Sequence, residues 1–107
     1  MANTIKLASK MKLNPGQANE YKKRHNPIWP ELSQLLKGYG ISDYSIFLDH
    51  ETNILFAVLS VVVPERLEDL KSEEIMKKWW TYMMDIMETN DDHSPVSIPL
   101  EEVFYMP

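Results

Sequence analysis

A tyrosine and a histidine, Tyr21 and His25, stand four residues apart just before Pro27. On an α-helix, side chains at this spacing leave the same face, so a phenol and an imidazole would lie side by side. Imidazole takes and gives protons near neutral pH, and a phenol donates hydrogen bonds. The pair indicates a candidate site for proton transfer, although a histidine at a helix end is also commonly structural and a helical tyrosine commonly packs.

Two adjacent tryptophans, Trp79 and Trp80, form the second candidate feature. Neighbouring residues of a helix point about 100° apart, so both indoles cannot lie at the centre of one apolar stripe. Trp79 shares its stripe with Ile75 and Met83, which predicts core packing, whereas Trp80 falls nearer the margin. A marginal indole can stack on the C–H face of a sugar ring. Together with the tyrosine and histidine pair, the doublet indicates a small carbohydrate-handling enzyme.

One further tyrosine, Tyr44, and two further histidines, His50 and His93, lie in other predicted elements. Tyr44 and Ile46 alternate on a predicted strand and point to one face, so Tyr44 lines a ligand site only if that face meets the helix of His25. His50 lies in a predicted hairpin and His93 in an acidic loop. We expect both of these histidines to be exposed to solvent and without a role.

Metal and cofactor chemistry find little support in the sequence. The three histidines form no His-x-x-Glu or His-x-x-x-His pair on a predicted helix, and the three glycines form no phosphate-binding loop. The chain has no cysteine, which excludes disulfides, thiolate catalysis and cysteine-ligated metal centres. We therefore expect no metal and no other cofactor.

Size and charge limit the class of protein further. At 107 residues the chain is expected to form a single domain over 1–107. Its net charge of -5 has the wrong sign for nucleic-acid binding, and the basic cluster Lys22-Lys23-Arg24 is interpreted as a solvated helix face without a role. No apolar run approaches the ~20 residues that span a bilayer, and the N-terminus lacks the apolar segment of a signal peptide. We expect a soluble, cytoplasmic protein that binds no membrane.

Periodicity and turn residues predict the order β, α, β, β, α, β. Asn14 and Pro15 are predicted to begin the first helix, Pro27 to end it, Pro30 to begin a second helical segment and Ser72 to cap the last helix. The predicted strands cover 5–13, 43–49, 53–63 and 102–106, and the predicted helical segments cover 15–25, 30–38, 64–70 and 73–89.

This order predicts an α+β fold of the ferredoxin-like, split βαβ type, with an antiparallel sheet and its helices on one face. The other face of the sheet has nothing from this chain to cover it. An uncovered apolar face would expose a large hydrophobic patch, so we expect a homodimer whose sheets pack face to face or close into an α/β-barrel.

The sequence resembles the L-rhamnose mutarotase family over nearly its whole length. The matching residues include Tyr44, the tryptophan doublet and the segments Arg24–Leu32, Tyr82–Met83, Ser94–Pro95 and Glu102–Tyr105. One departure is Ser9 in the first predicted strand, where a large apolar residue is expected.

The resemblance implies a dimeric, ferredoxin-like protein that interconverts the α and β anomers of L-rhamnose without metal or cofactor. By position, His25 matches the proton donor of the family, and Tyr21, Tyr44, Trp79 and Trp80 match its sugar-binding residues. The preference for L-rhamnose over other sugars rests wholly on the resemblance.

Two alternatives from other classes stay open on the residues alone. The same aromatic pocket would also suit a non-catalytic sugar-binding module. A cofactor-free, dimeric α+β-barrel monooxygenase acting on small aromatics would also use few residues. One fold hosts unrelated activities, so architecture alone cannot separate these functions.

Overall fold

A computed structural model describes residues 3–107, which form one four-stranded sheet with four α-helices. The strands are β1 (Ile5–Lys12), β2 (Ile41–Asp49), β3 (Ile54–Val61) and β4 (Ile98–Leu100). The helices are α1 (Ala18–His25), α2 (Pro30–Gly38), α3 (Leu67–Leu70) and α4 (Glu74–Met83), with a 3-10 turn over Pro64–Arg66. None of the helices in this part of the chain is long and apolar enough to cross a membrane.

The sheet has the order β2-β3-β1-β4, and every neighbouring pair of strands is antiparallel. The first strand lies in the interior of the sheet and the last pairs with it, as expected for a split βαβ fold. The predicted α+β architecture is therefore confirmed.

The core lies between one face of the sheet and the helices. It includes Leu13, Leu32, Leu55 and Met83, which are almost fully buried. A smaller cluster around Val61 continues it. On the same face Ser9 of β1 pairs with the buried Ala57 of β3, so a small residue stands opposite another small residue where we expected a large one.

The end of α1 was predicted correctly, but its start was not. Pro15 and Gly16 form a turn, Gln17 is the N-cap, and the helix begins at Ala18. Gly16 has a φ of +79°, a left-handed conformation that a right-handed helix cannot contain. The helix ends at His25, just before the Asn26–Pro27 peptide.

The last helix is shorter at both ends than its periodicity predicts. Its N-cap is Glu73 rather than Ser72, and it ends at Met83 rather than near Thr89. The chain turns after Met83 because the following segment pairs with the end of β1. There the Asn14 N–H donates to the Ile86 carbonyl at 2.8 Å.

The prediction of a last strand over 102–106 was wrong. Strand β4 instead covers Ile98–Leu100, where Leu100 pairs with Ala8 of β1. Residues 98–100 and 102–106 are both apolar enough to be predicted as a strand. Hydrogen-bond pairing with β1 selects the first of these two segments. The terminal residues beyond β4 are exposed, including Val103 at 85%.

Candidate active site

A cavity of about 80 Å³ opens between α1, α4, β2 and the loop that follows α4. All five residues singled out in the sequence lie in its wall: Tyr21, His25, Tyr44, Trp79 and Trp80. The rest of the wall is mainly apolar and contains Met11, Ile46, Met76, Met83, Met87, Thr89, His93 and Pro95.

His25 is held by contacts on several sides of its ring. The ring stacks on Tyr21, with centroids 4.2 Å apart, and meets Trp79 edge-on at 5.0 Å. Its Nδ1 lies 3.1 Å from the Tyr21 carbonyl oxygen. A carbonyl only accepts hydrogen bonds, so Nδ1 carries the proton, and in the neutral ring Nε2 has the free lone pair.

Burial lowers the pKa of His25 below its usual value, although the bond to the Tyr21 carbonyl opposes this shift. The charged imidazolium loses hydration in a largely apolar pocket, which favours the neutral form. His25 is therefore suited to accept a proton at neutral pH.

The two tyrosines supply hydroxyl groups from different elements. Burial, followed by the proximity of Tyr44, raises the pKa of Tyr21, so its phenol stays protonated and able to donate. Tyr44 is 44% exposed and lies within an irregularity in the pairing of β2 and β3, between Ser42 and Ser45. It shares the cavity with Ile46, so this face of β2 does meet the helix that carries His25.

The two tryptophans occupy different environments, as their helical spacing predicts. Trp79 is 6% exposed and packs in the core, while Trp80 is half-buried. Trp29 meets Trp79 nearly at right angles, with centroids 5.1 Å apart, and also lies 5.4 Å from Tyr82. Trp79 is thus fixed between His25 and Trp29, whereas Trp80 has more freedom to face a ligand.

Arg24 has contacts that the sequence interpretation missed. We expected a solvated side chain, but only 12% of it is exposed. Its Nε donates to Glu20 at 2.8 Å, and Nη1 donates to the Asp85 carboxylate at 2.7 Å and to the Tyr82 carbonyl at 2.6 Å. These bonds tie α1 to the end of α4, and nothing in the local sequence indicates partners so distant.

His93 was also predicted wrongly, since it is half-buried and lies in the cavity wall. The loop after α4 folds back toward the cavity, which sequence spacing does not reveal. Its Nδ1 lies 3.0 Å from the Thr81 hydroxyl oxygen. His50 is exposed in the hairpin between β2 and β3, as predicted.

A wider and shallower depression lies elsewhere, between α2 and the start of α4. Tyr39 lines it and donates its hydroxyl proton to Glu73 at 2.7 Å, so these two polar groups satisfy each other. The depression contains no histidine or tryptophan. The smaller cavity around His25 is the better candidate because it brings together the groups able to move a proton and stack on a ring.

Residues 3–107 contain no group of three or more histidine or acidic side chains placed to hold a metal ion. The polar atoms of the His25 cavity are imidazole, phenol, indole and hydroxyl groups. This set is chemically suited to hydrogen-bonding a polyhydroxylated ring.

Comparison with known proteins agrees with these features. The family model described as L-rhamnose mutarotase matches residues 6–106. The chain is 61% identical to an L-rhamnose mutarotase of Formosa agariphila, over 94% of this chain and 97% of that one. It is 59% identical to an L-rhamnose mutarotase of Bacteroides thetaiotaomicron, over 92% and 95% of the two chains.

A solved structure extends the similarity to three dimensions. The crystal structure of an L-rhamnose mutarotase from Formosa agariphila matches with a TM-score of 0.90 and 60% identity, covering 96% of this chain and 99% of that one. With a family model that matches almost the entire sequence and a shared fold, the chain belongs to the L-rhamnose mutarotase family.

Proposed function

We propose that this protein catalyses the interconversion of the α and β anomers of L-rhamnose. The observation that carries this proposal is the gathering of His25, two tyrosines and two tryptophans around one cavity in a chain of this family. Close relatives are named L-rhamnose mutarotase, which favours this enzyme over a sugar-binding module or a monooxygenase.

The reaction breaks and re-forms one bond in the sugar. The anomeric hydroxyl loses its proton, the ring oxygen gains one, and the electron pair of the anomeric carbon–ring oxygen bond leaves with the ring oxygen. The resulting aldehyde turns about the adjacent carbon–carbon bond, and the ring closes on the other carbonyl face. Since no carbon–carbon or carbon–hydrogen bond breaks, one positioned acid–base group and a fixed orientation are sufficient.

His25 is the residue we assign to this proton exchange. Its Nδ1–H is engaged by the Tyr21 carbonyl, so Nε2 is the nitrogen available to the sugar. In the neutral ring Nε2 accepts a proton, and the imidazolium that forms returns it during the same turnover. The lowered pKa of His25 keeps the accepting form populated at neutral pH.

The remaining cavity residues are assigned to substrate binding. Tyr21 and Tyr44 present phenol groups that hydrogen-bond sugar hydroxyls, and the indoles of Trp79 and Trp80 present apolar surface and N–H donors. An apolar wall also suits the methyl group of a 6-deoxy sugar. A hydroxymethyl group at the same place would need a polar partner.

The uncovered face of the sheet supports a homodimer. The helices pack on the face that carries Val61, and the strand register places several apolar side chains on the opposite face. These are Ala8, Phe47, Phe56, Val58, Ile98 and Leu100. Burying this face against a second copy would remove it from water and produce the face-to-face or barrel arrangement.

The cellular site and the domain count are parts of the same proposal. A chain without cysteine needs no oxidising compartment for its folding, which agrees with an enzyme of the cytoplasm. The two buried clusters share Leu35, Leu36 and Leu70 as packing partners, which supports one domain over 1–107.

Anomer exchange in equilibrated sugar tests the proposal. We expect the exchange rate between the two anomeric protons of L-rhamnose to rise in proportion to added protein, and to rise far less for glucose. Saturable rhamnose binding with unchanged exchange would indicate the binding module instead. Oxygen uptake with a small aromatic substrate, and no effect on sugar, would indicate the monooxygenase.

A further inference from the structure

The cavity contains a second imidazole to which the proposed reaction assigns no task. His93 lies in the same wall as His25 but comes from the loop after α4, whereas His25 comes from α1. Two separate elements therefore bring imidazole groups to one small cavity. The wall around them is mostly methionine and aromatic side chains, so groups able to pair with several sugar hydroxyls are few.

The backbone at His93 is held in an uncommon conformation. Its φ of +72° lies in the left-handed region, which residues with a Cβ adopt infrequently. Bonds on either side hold the loop in this shape: the His93 N–H donates to the Asn90 carbonyl at 2.9 Å, and the Asn90 N–H donates to the Ser94 carbonyl at 2.8 Å. The Asn90 side-chain amide also donates to the Ser94 hydroxyl at 3.0 Å. These bonds fix the backbone from which the His93 side chain extends.

Thr81 of α4 fixes the ring itself. Its hydroxyl oxygen lies 3.0 Å from Nδ1 of His93. A hydroxyl group can donate or accept, so this bond forms with either neutral tautomer of the imidazole. In both cases Nε2 is the ring nitrogen left for a ligand.

We propose that His93 contacts the substrate by hydrogen-bonding a sugar hydroxyl through Nε2, and that Thr81 is the positioning residue that holds its ring. The inference rests on the proposed function, since it takes the sugar to be the ligand of this cavity. His93 contributes binding, and the proton exchange stays with His25. The contact is made alike in the bound sugar and in the transition state, so it lowers KM and leaves kcat unchanged.

Kinetics of the variants test this assignment. Glycine accepts the positive φ at this position, so His93→Gly removes the imidazole without straining the loop. We expect about a tenfold rise in KM for L-rhamnose, the size of one lost hydrogen bond, with kcat within about twofold of wild type. The matched control His50→Gly removes an exposed imidazole and is expected to leave both constants unchanged.

Thr81 provides a second, independent comparison. Thr81→Val keeps the shape of the side chain and removes the hydroxyl, so we expect a partial rise in KM. Thr81→Ser retains the hydroxyl and is expected to restore the wild-type KM. Equal KM values for the valine and serine variants would overturn the positioning role.

The wild-type protein gives a direct readout that does not depend on any variant folding. We expect the imidazole NMR signals of His93 to shift as L-rhamnose is added, while those of His50 stay in place. Unshifted His93 signals at saturating rhamnose, with indole signals of Trp79 and Trp80 moving, would overturn the proposal. If the sugar binds without faster anomer exchange, the proposed function fails, but the His93 signals still decide whether this contact exists.

Discussion

At the scale of single residues, the bond between Nδ1 of His25 and the Tyr21 carbonyl determines which nitrogen can react. Both groups belong to one turn of α1, so the four-residue spacing of Tyr21 and His25 also fixes the tautomer. The same spacing places the two rings in a stack. The helix therefore orients the proposed base without a carboxylate partner.

The pH dependence of kcat/KM follows from the lowered pKa of His25. A proton-accepting imidazole works only when neutral, and burial shifts its protonation to pH values below the usual 6.5. We expect kcat/KM, corrected for the uncatalysed rate, to persist as the pH falls through 6.5 and to be lost only at lower pH. Initial rates by polarimetry over pH 4–8 measure this profile, and an acidic limb centred above 6.5 would contradict it.

The two tryptophans differ in what their removal should change. Trp79→Ala leaves a cavity in the core, and we expect a loss of about 3–5 kcal/mol in the free energy of unfolding. Trp80→Ala, at a half-buried position, should cost far less stability and raise KM for L-rhamnose severalfold. Chemical denaturation and saturation kinetics of both variants separate the two effects. Equal losses of stability would show that Trp80 is also a packing residue.

Residue types and spacing were enough to pair Tyr21 with His25 and to distinguish Trp79 from Trp80, because local helix geometry relates the members of each pair. Tyr44 entered the predicted site only through the family resemblance. The roles of Arg24 and His93 were not predictable in this way. Arg24 meets Asp85, 61 residues further along the chain, and His93 meets Thr81 only because a loop turns back. Such partners depend on tertiary packing, which the pattern of a single segment does not contain.

At the scale of elements, Arg24 joins α1 to the end of α4. Both helices line the cavity, so these bonds set the distance between the imidazole and the indoles. The planar guanidinium contacts both Asp85 oxygens, a geometry that lysine cannot reproduce.

Arg24→Gln and Arg24→Lys are both expected to loosen this junction. We expect a lower Tm at pH 7 and a loss in kcat/KM of up to about 100-fold, because small displacements of positioned groups slow a reaction strongly. The exposed neighbour Lys23 gives the matched control Lys23→Gln, which should behave as wild type. A fully active lysine variant would show that the guanidinium geometry is unimportant.

The ion pair also predicts how stability depends on pH. The side-chain bond to Arg24 lowers the pKa of Asp85 in the folded protein. The contribution of this ion pair to the free energy of unfolding is therefore fully present above the unfolded pKa of Asp85, near 4. It is lost as the pH falls through the lower folded value. The Tm difference between wild type and Arg24→Gln should therefore shrink toward acid pH, and a difference that widens there would contradict the ion pair.

Element boundaries show where sequence patterns stop being informative. Proline predicted the end of α1 and the start of α2 correctly, because it removes a backbone donor wherever it stands. The start of α1 and the position of β4 were missed. Gly16 adopts a left-handed conformation, and β4 is placed by its pairing with β1, which the apolar residues of 102–106 could not reveal.

At the scale of the whole molecule, apolar side chains are exposed both on the uncovered face of the sheet and on the segment after β4. Phe47 is 64% exposed on the face away from the helices. The terminal segment passes beside β1, where the Lys6 ammonium lies 5.1 Å from the centre of the Tyr105 ring. A second copy of the chain would cover the apolar side chains of the sheet face and those of the terminal segment.

The proposed homodimer should therefore depend on Phe47. We expect Phe47→Glu to convert the dimer to a folded monomer, because a charge cannot be buried in the interface without a partner. The matched control is Lys37→Glu, a change at an exposed position of α2, and this variant should stay dimeric. Analytical ultracentrifugation measures the masses. A monomeric wild type, or a Phe47→Glu variant that remains a dimer, would contradict this use of the sheet.

The fold class was predictable from element order alone, since alternating strands and helices with one hairpin leave few arrangements. The family assignment, which the comparisons confirm, came from a resemblance spread along the chain. The cavity wall offers aromatic and hydroxyl groups that would accept several sugars. L-rhamnose was therefore predicted as the substrate from the family resemblance and not from the residues of the cavity.

Catalysis by His25 is tested directly by magnetisation exchange between the α and β anomeric protons of L-rhamnose, measured with wild-type protein and with His25→Asn. The asparagine amide can still donate to the Tyr21 carbonyl, so the helix end is preserved while the base is lost. We predict exchange proportional to wild-type protein and a rate lower by about 100-fold or more for the variant. A folded variant that exchanges the anomers as fast as wild type would contradict the role of His25.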